Sequence, residues 1–116
     1  MYNLTYKDTC YLLNISDAVK KIEAYTAIFK TADEFFTDVK TFDAVLMNFI
    51  VIGEMVEKLP ETLKDQTENK VDWFKIKGFR NILAHNYFGV DAEEVWQIIH
   101  DNIPALKAAI QGILAD

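Results

Sequence analysis

The chain has 116 residues, 51% of them hydrophobic, and a formal net charge of -6. That length suits one domain with a real core, residues 1–116, and the composition excludes a disordered tail. The charge excludes a broad nucleic-acid footprint, because affinity for phosphate backbones comes mainly from Lys and Arg.

The cations are lopsided: eleven Lys and a single Arg, Arg80. Cys10 is the only cysteine, so no internal disulfide can form and it reads as a small buried residue of the first helix. Met1 to Leu4 starts no signal peptide. The longest apolar stretch, Ala44 to Ile52, is interrupted by Asn48 and is about half of what a bilayer needs. A cytoplasmic chain with no membrane partner is expected. Four Gly and two Pro leave little material for β-turns.

Helical spacing of Cys10, Leu13, Ala18, Ile22, Tyr25 and Phe29 predicts a first helix from about Tyr6 to Phe29. Thr31 and Glu34 stand at capping-box spacing, which predicts a short helix ending near Val39. Thr41 or Asp43 can cap the next helix, which runs to about Leu59. Pro60 suits a new first turn, and Glu61 to Lys70 reads as a loop with room for one helical turn. Asp72 can cap a helix from Trp73 to about Tyr87, broken by Gly89. Asp91 and Glu94 open a last helix to about Leu114, in which Pro104 should make a kink. No segment alternates long enough to demand a strand. The expectation is an all-α antiparallel bundle of four to five main helices plus short ones.

The helix beginning at Trp73 carries the chemistry. With Arg80 set at zero, Ile76, Leu83, Phe79 and Ile82 fall from roughly -40° to -160°, an apolar side for the core. Tyr87, Ala84, Lys77, Asn81 and His85 fall from about -20° to about +140° on the other side. One arc therefore holds a guanidinium, an ammonium, an amide, an imidazole and a phenol. A solvated helix face can look the same. Here, however, the only Arg and one of two His stand five positions apart on it. A fixed Arg can stabilise the charge of a phosphodiester transition state, and imidazole can move a proton near neutral pH. That equipment suits metal-independent RNA cleavage through a 2′,3′-cyclic phosphate. The reaction has one proton to remove and one to deliver, whereas the motif offers one His per chain. A two-fold homodimer would supply two.

Other residues read less sharply. Glu54 follows Gly53 in an apolar run and could pair with Arg80, orient His85, or face solvent. Lys77 could assist with phosphate or simply be solvated. His100 reads as a surface residue. No Cys/His/carboxylate cluster has metal-ligand spacing, and no Gly-rich phosphate loop occurs, so no metal and no cofactor are expected. Phe35, Phe36, Phe42, Val45, Phe49, Trp73 and Trp96 exceed what single helix faces need, and some could serve an interface.

Arg80-x4-His85-x-Tyr87, with Asn81 after the Arg, resembles the signature of the HEPN superfamily, specifically its HepT-like toxins. Asp72-Trp73, Phe88-Gly-Val-Asp91, Glu94-Val95-Trp96 and Ile52-Gly53-Glu54 extend the likeness over most of the chain. The resemblance implies a dimerising helical ribonuclease with its cleft between protomers. It implies a type VII-like toxin–antitoxin pair, in which a minimal nucleotidyltransferase antitoxin transfers AMP to the tyrosine. Carried over, Arg80 would hold phosphate, His85 would be the acid/base, Tyr87 would accept AMP, and Asn81 would support the cleft. Two other readings stay open: a non-catalytic helical interaction module, and a nucleotide-binding adaptor for the transferase.

Overall fold

A computed structural model describes the backbone of residues 2–85 and 91–115, and their side chains except those of 81–85. Among these residues there are seven helices and no strand. They are α1 (Tyr6–Thr26), α2 (Ala32–Thr37), α3 (Val39–Lys58), α4 (Glu61–Gln66), α5 (Trp73–His85), α6 (Ala92–Asp101) and α7 (Ile103–Ala115). Five are long and two are single turns or little more, within the expected four to five main helices plus short ones.

Local chemistry explains most of the boundaries. Thr5 and Asp8 start α1 with a reciprocal capping box: each backbone N–H donates to the other's side chain, at 3.0 and 3.1 Å. Thr31 Oγ1 accepts from the Glu34 N–H and starts α2 as expected. Asp38 ends α2 and caps α3, its carboxylate accepting from the Thr41 N–H. Asp38 thus takes the place expected of Thr41 or Asp43. Pro60 precedes the first turn of α4, and Asp72 Oδ1 accepts from the Lys75 N–H at the start of α5.

The expected long last helix is two helices. The α6 ladder ends where the Asn102 N–H reaches the Ile98 carbonyl, and α7 restarts at Ile103. Pro104 lies in the first turn of α7. It has no N–H to give, and its ring would collide with the carbonyl four residues back, so the chain breaks rather than bends.

Helix α3 is the centre of the bundle and packs most extensively on α1 and α5. It runs antiparallel to α1: Asn14 meets Met55 and Tyr11 lies under Lys58. It runs antiparallel to α5 too, since the Phe49 ring meets Phe79 edge-on while Val56 shares a cleft wall with Trp73. The α3 core face is Phe42, Val45, Leu46, Phe49, Ile52 and Val56, spaced by three and four.

On α1 the buried apolar residues are Leu12, Ile15, Ala18, Val19 and Ile22, which keeps Ala18 and Ile22 of the expected stripe and replaces the rest of its buried side. Leu13 is 51% exposed, Tyr25 lies at the surface, and Cys10 is only half-buried. Two apolar stripes overlap on this helix. The one with unbroken spacing of three and four, rich in branched aliphatics, faces α3. Of the surplus aromatics, Phe35, Phe42, Phe49 and Trp73 are core, Trp96 is half-buried and Phe36 is exposed.

Candidate functional site

Helix α5 enters the site on a buried polar relay. The Trp73 indole N–H donates to Thr67 Oγ1 at 2.9 Å, and the Thr67 hydroxyl donates to the Leu63 carbonyl at 2.8 Å. Thr67 is fully buried. The relay ties the first residue of α5 to α4, while Ile76 and Phe79 seal the helix on the core. These two are core residues in the predicted wheel as well, which places Arg80 at the edge of the apolar face.

Arg80 sits where α5 packs tightly against Gly53 of α3. A Cβ added to Gly53 would lie 2.7 Å from Arg80 Cβ, so glycine is what lets the two backbones approach. The Arg80 side chain is 23% exposed. Its Nη1 donates to Glu54 Oε1 at 3.1 Å and also to Glu57 Oε2. The pairing of Glu54 with Arg80 is thus one of the roles its position allowed. Glu57 is the residue that sequence reading missed. The available signal was its spacing: Glu54 and Glu57 are three apart, hence on one face of α3.

The charges answer each other. The hydrogen bond from Arg80, then its charge, hold Glu57 below the ordinary carboxylate value of 4.5, with Lys77 and Lys64 adding to the effect. The bond to Glu57 chiefly raises the Arg80 pKa further, so the guanidinium stays charged. Lys77 is half-buried, one turn before Arg80 on α5.

The backbone of α5 carries Asn81 directly after Arg80 and His85 five residues on, about 7.5 Å along the axis. The side chains of Asn81 and His85 lie outside the described residues, as do all of Tyr87, the motif Phe88 to Val90, and the expected break at Gly89. His100 is exposed, its Nδ1 2.8 Å from the Trp96 carbonyl and its ring against the Trp96 ring. Among the described residues no three His, Cys, Asp or Glu side chains are grouped to hold a metal ion. No helix described is long and apolar enough to cross a membrane.

The arrangement can fix one permanent cation at a helix seam, beside two carboxylates, on the helix that also carries an imidazole. Comparisons with known proteins point to one family. The family model described as "Ribonuclease HepT-like" matches residues 15–113. A Methanocaldococcus jannaschii protein named "Gamma-glutamylcyclotransferase and putative RNase" is 36% identical over 106 residues, covering 91% of this chain and 47% of that protein. The chain therefore spans about half the length of that relative. The "Probable ribonuclease HepT" of Thermococcus cleftensis is 32% identical over 109 residues, covering 94% of this chain and 96% of that one. No solved structure matches the chain.

Proposed function

The chain belongs to the HepT-like ribonuclease family, and from that premise we propose that it is a metal-independent endoribonuclease in which Arg80 holds the scissile phosphate and His85 moves the proton. The observation that carries this is the setting of Arg80. The sole arginine is packed tightly against Gly53 of α3 and held by two α3 carboxylates, on the helix that bears His85.

The reaction needs no group beyond the chain and its RNA. The ribose 2′-oxygen attacks phosphorus as its proton passes to a base. The bond to the 5′-oxygen breaks, and that oxygen takes a proton from an acid. The products are a 2′,3′-cyclic phosphate and a 5′-hydroxyl. A guanidinium donating to the non-bridging oxygens stabilises the charge that builds up between these steps. Imidazole suits either proton transfer, and a homodimer with a shared cleft would bring one His for each. Asn81 and Lys77 lie on the same arc, where they support the phosphate, and Glu54 positions Arg80.

In this reading the chain is the toxin of a type VII-like toxin–antitoxin pair, controlled by a minimal nucleotidyltransferase antitoxin. Transfer of AMP from ATP to the Tyr87 hydroxyl releases pyrophosphate and puts bulk and negative charge on the arc where RNA phosphate binds. What supports it is the ordered motif Arg80-Asn81-x3-His85-x-Tyr87.

The test uses purified chain, a mixed-sequence RNA and excess EDTA. The parent is expected to leave 2′,3′-cyclic phosphate ends, and His85→Ala to lose at least about a hundredfold in rate. Equal cleavage by both proteins, or by neither, overturns His85-dependent catalysis. If neither cleaves, yet the chain binds the nucleotidyltransferase tightly, the interaction-module reading replaces this one. Intact mass after incubation with the antitoxin and ATP reads the modification, which Tyr87→Phe should abolish.

A further inference from the structure

One guanidinium meeting two carboxylates leaves an excess negative charge at the place where an RNA phosphate is to bind. Both carboxylates accept from Arg80 Nη1, so a phosphate oxygen that takes Nη1 must displace one of them, and one that takes the other N–H groups would sit beside two negative charges. Side-chain exposure does not decide between them, because Glu54 and Glu57 are 47% and 46% exposed.

Helix register does decide. Gly53 stands level with Arg80, and α3 and α5 run in opposite directions. Glu54 is therefore nearly level with Arg80, whereas Glu57 lies about 6 Å further toward the N-terminal end of α5. His85 lies about 7.5 Å the other way. Bonding to Glu57 draws the guanidinium away from the turn that carries His85. Bonding to Glu54 does not. The surroundings of Glu57 favour an anion in its place, since Lys77 and Lys64 act on it as well as Arg80.

We propose that Glu57 is a displaceable counter-ion: it occupies the anion seat of Arg80 in the free chain and yields that seat to a backbone phosphate of RNA, while Glu54 keeps Arg80 in position. The proposal rests on the reading above, that Arg80 contacts RNA phosphate. Its consequence is that Glu57 weakens RNA binding and makes it contingent on a strong enough phosphate contact.

The experiment measures binding of a fluorescent single-stranded RNA with 2′-O-methyl groups, which cannot be cleaved, to the full chain at low and high salt. Glu57→Gln should bind about three- to tenfold more tightly than the parent at low salt. The gain should shrink at about 1 M salt, where the screening length is about 3 Å. Glu34→Gln, an exposed change on α2 with the same effect on net charge, should move affinity less than twofold. In an Arg80→Gln background the Glu57→Gln gain should disappear.

Glu57→Gln binding no tighter than Glu34→Gln overturns the counter-ion role while leaving the Arg80 reading intact, provided Arg80→Gln weakens binding. If Arg80→Gln binds RNA as well as the parent, Arg80 does not hold phosphate, and both claims fall together. Far-ultraviolet dichroism of each variant confirms the fold. Glu57→Asp keeps the charge but shortens the reach, and should lie between parent and Glu57→Gln.

Discussion

Replacing Gly53 by alanine tests the α3–α5 seam directly. The new methyl carbon would lie 2.7 Å from Arg80 Cβ and 3.6 Å from Arg80 Cα. Comfortable carbon–carbon separation is about 3.5–4.0 Å, so the two atoms must part by about 0.8 Å or more. The obstructing atom is a β-carbon fixed to the backbone, so no rotamer change relieves it and the helices themselves must separate. Overpacking of that kind costs about 1–3 kcal/mol. Alanine returns about 1 kcal/mol through helix propensity, which leaves a net loss of about 0–2 kcal/mol. Gly112→Ala supplies the control. Gly112 lies within α7 with nothing within 4 Å of an added Cβ, so alanine there should stabilise by about 0.5–1 kcal/mol. Urea unfolding followed at 222 nm reads both. A Gly53→Ala protein stabilised as much as Gly112→Ala would show that the two backbones are not in the contact described, and the placement of Arg80 would lose its basis.

Thr67→Val keeps the shape of a buried side chain but leaves the Trp73 N–H without its acceptor, which should cost about 1–3 kcal/mol in the same assay. Asp38→Ala removes the carboxylate that caps α3 and should cost about 1 kcal/mol. Glu57 gives an acid-side prediction. Because its folded pKa is lowered from 4.5, its stabilising contribution is present above about that pH and is lost as pH falls through the folded value. The parent should therefore lose stability on acidification that Glu57→Gln does not. The gap between their urea midpoints should close between about pH 6 and about pH 3.

How much of this could be read from sequence depended on whether local spacing or helix register held the information. The core face of α3 follows from apolar residues spaced by three and four, and the caps at Thr31, Asp72 and Asp91 from side chains three or two residues ahead of the N–H they accept. On α1 the same rule was ambiguous, because Cys10 and Leu13 compete with Leu12 and Ile15 for the buried side. Only docking against α3 chooses between them. Asp38 was overlooked because it ends one helix and starts the next, leaving no loop residue between. Pro104 signalled an interruption but not its depth. At the site, the link from Arg80 to Glu54 was legible as one of the roles open to Glu54. Glu57 was not, since its contact depends on the register of α3 against α5, which the close approach at Gly53 sets.

Arg80→Lys separates what the guanidinium does for the fold from what it does for RNA. In the fold, Arg80 bridges two partly exposed carboxylates of α3 through one terminal nitrogen. An ammonium keeps the charge and carries three donors, and exposed pairs of this kind contribute about 0–1 kcal/mol, so stability should change by less than about 1 kcal/mol. Phosphate chemistry asks for more. A planar fork can donate two parallel bonds to two oxygens, whereas an ammonium is a flexible point charge. Losing one charge-assisted bond in the transition state, worth about 1.5–3 kcal/mol, predicts a cleavage rate lower by about ten- to a hundredfold. RNA binding should weaken much less, because the charge remains. A lysine variant that unfolds early points to a structural clamp. One that cleaves at the parental rate shows that charge alone suffices and that the forked geometry is not used. A protein that is stable, binds RNA and turns it over slowly is what a phosphate-holding arginine requires.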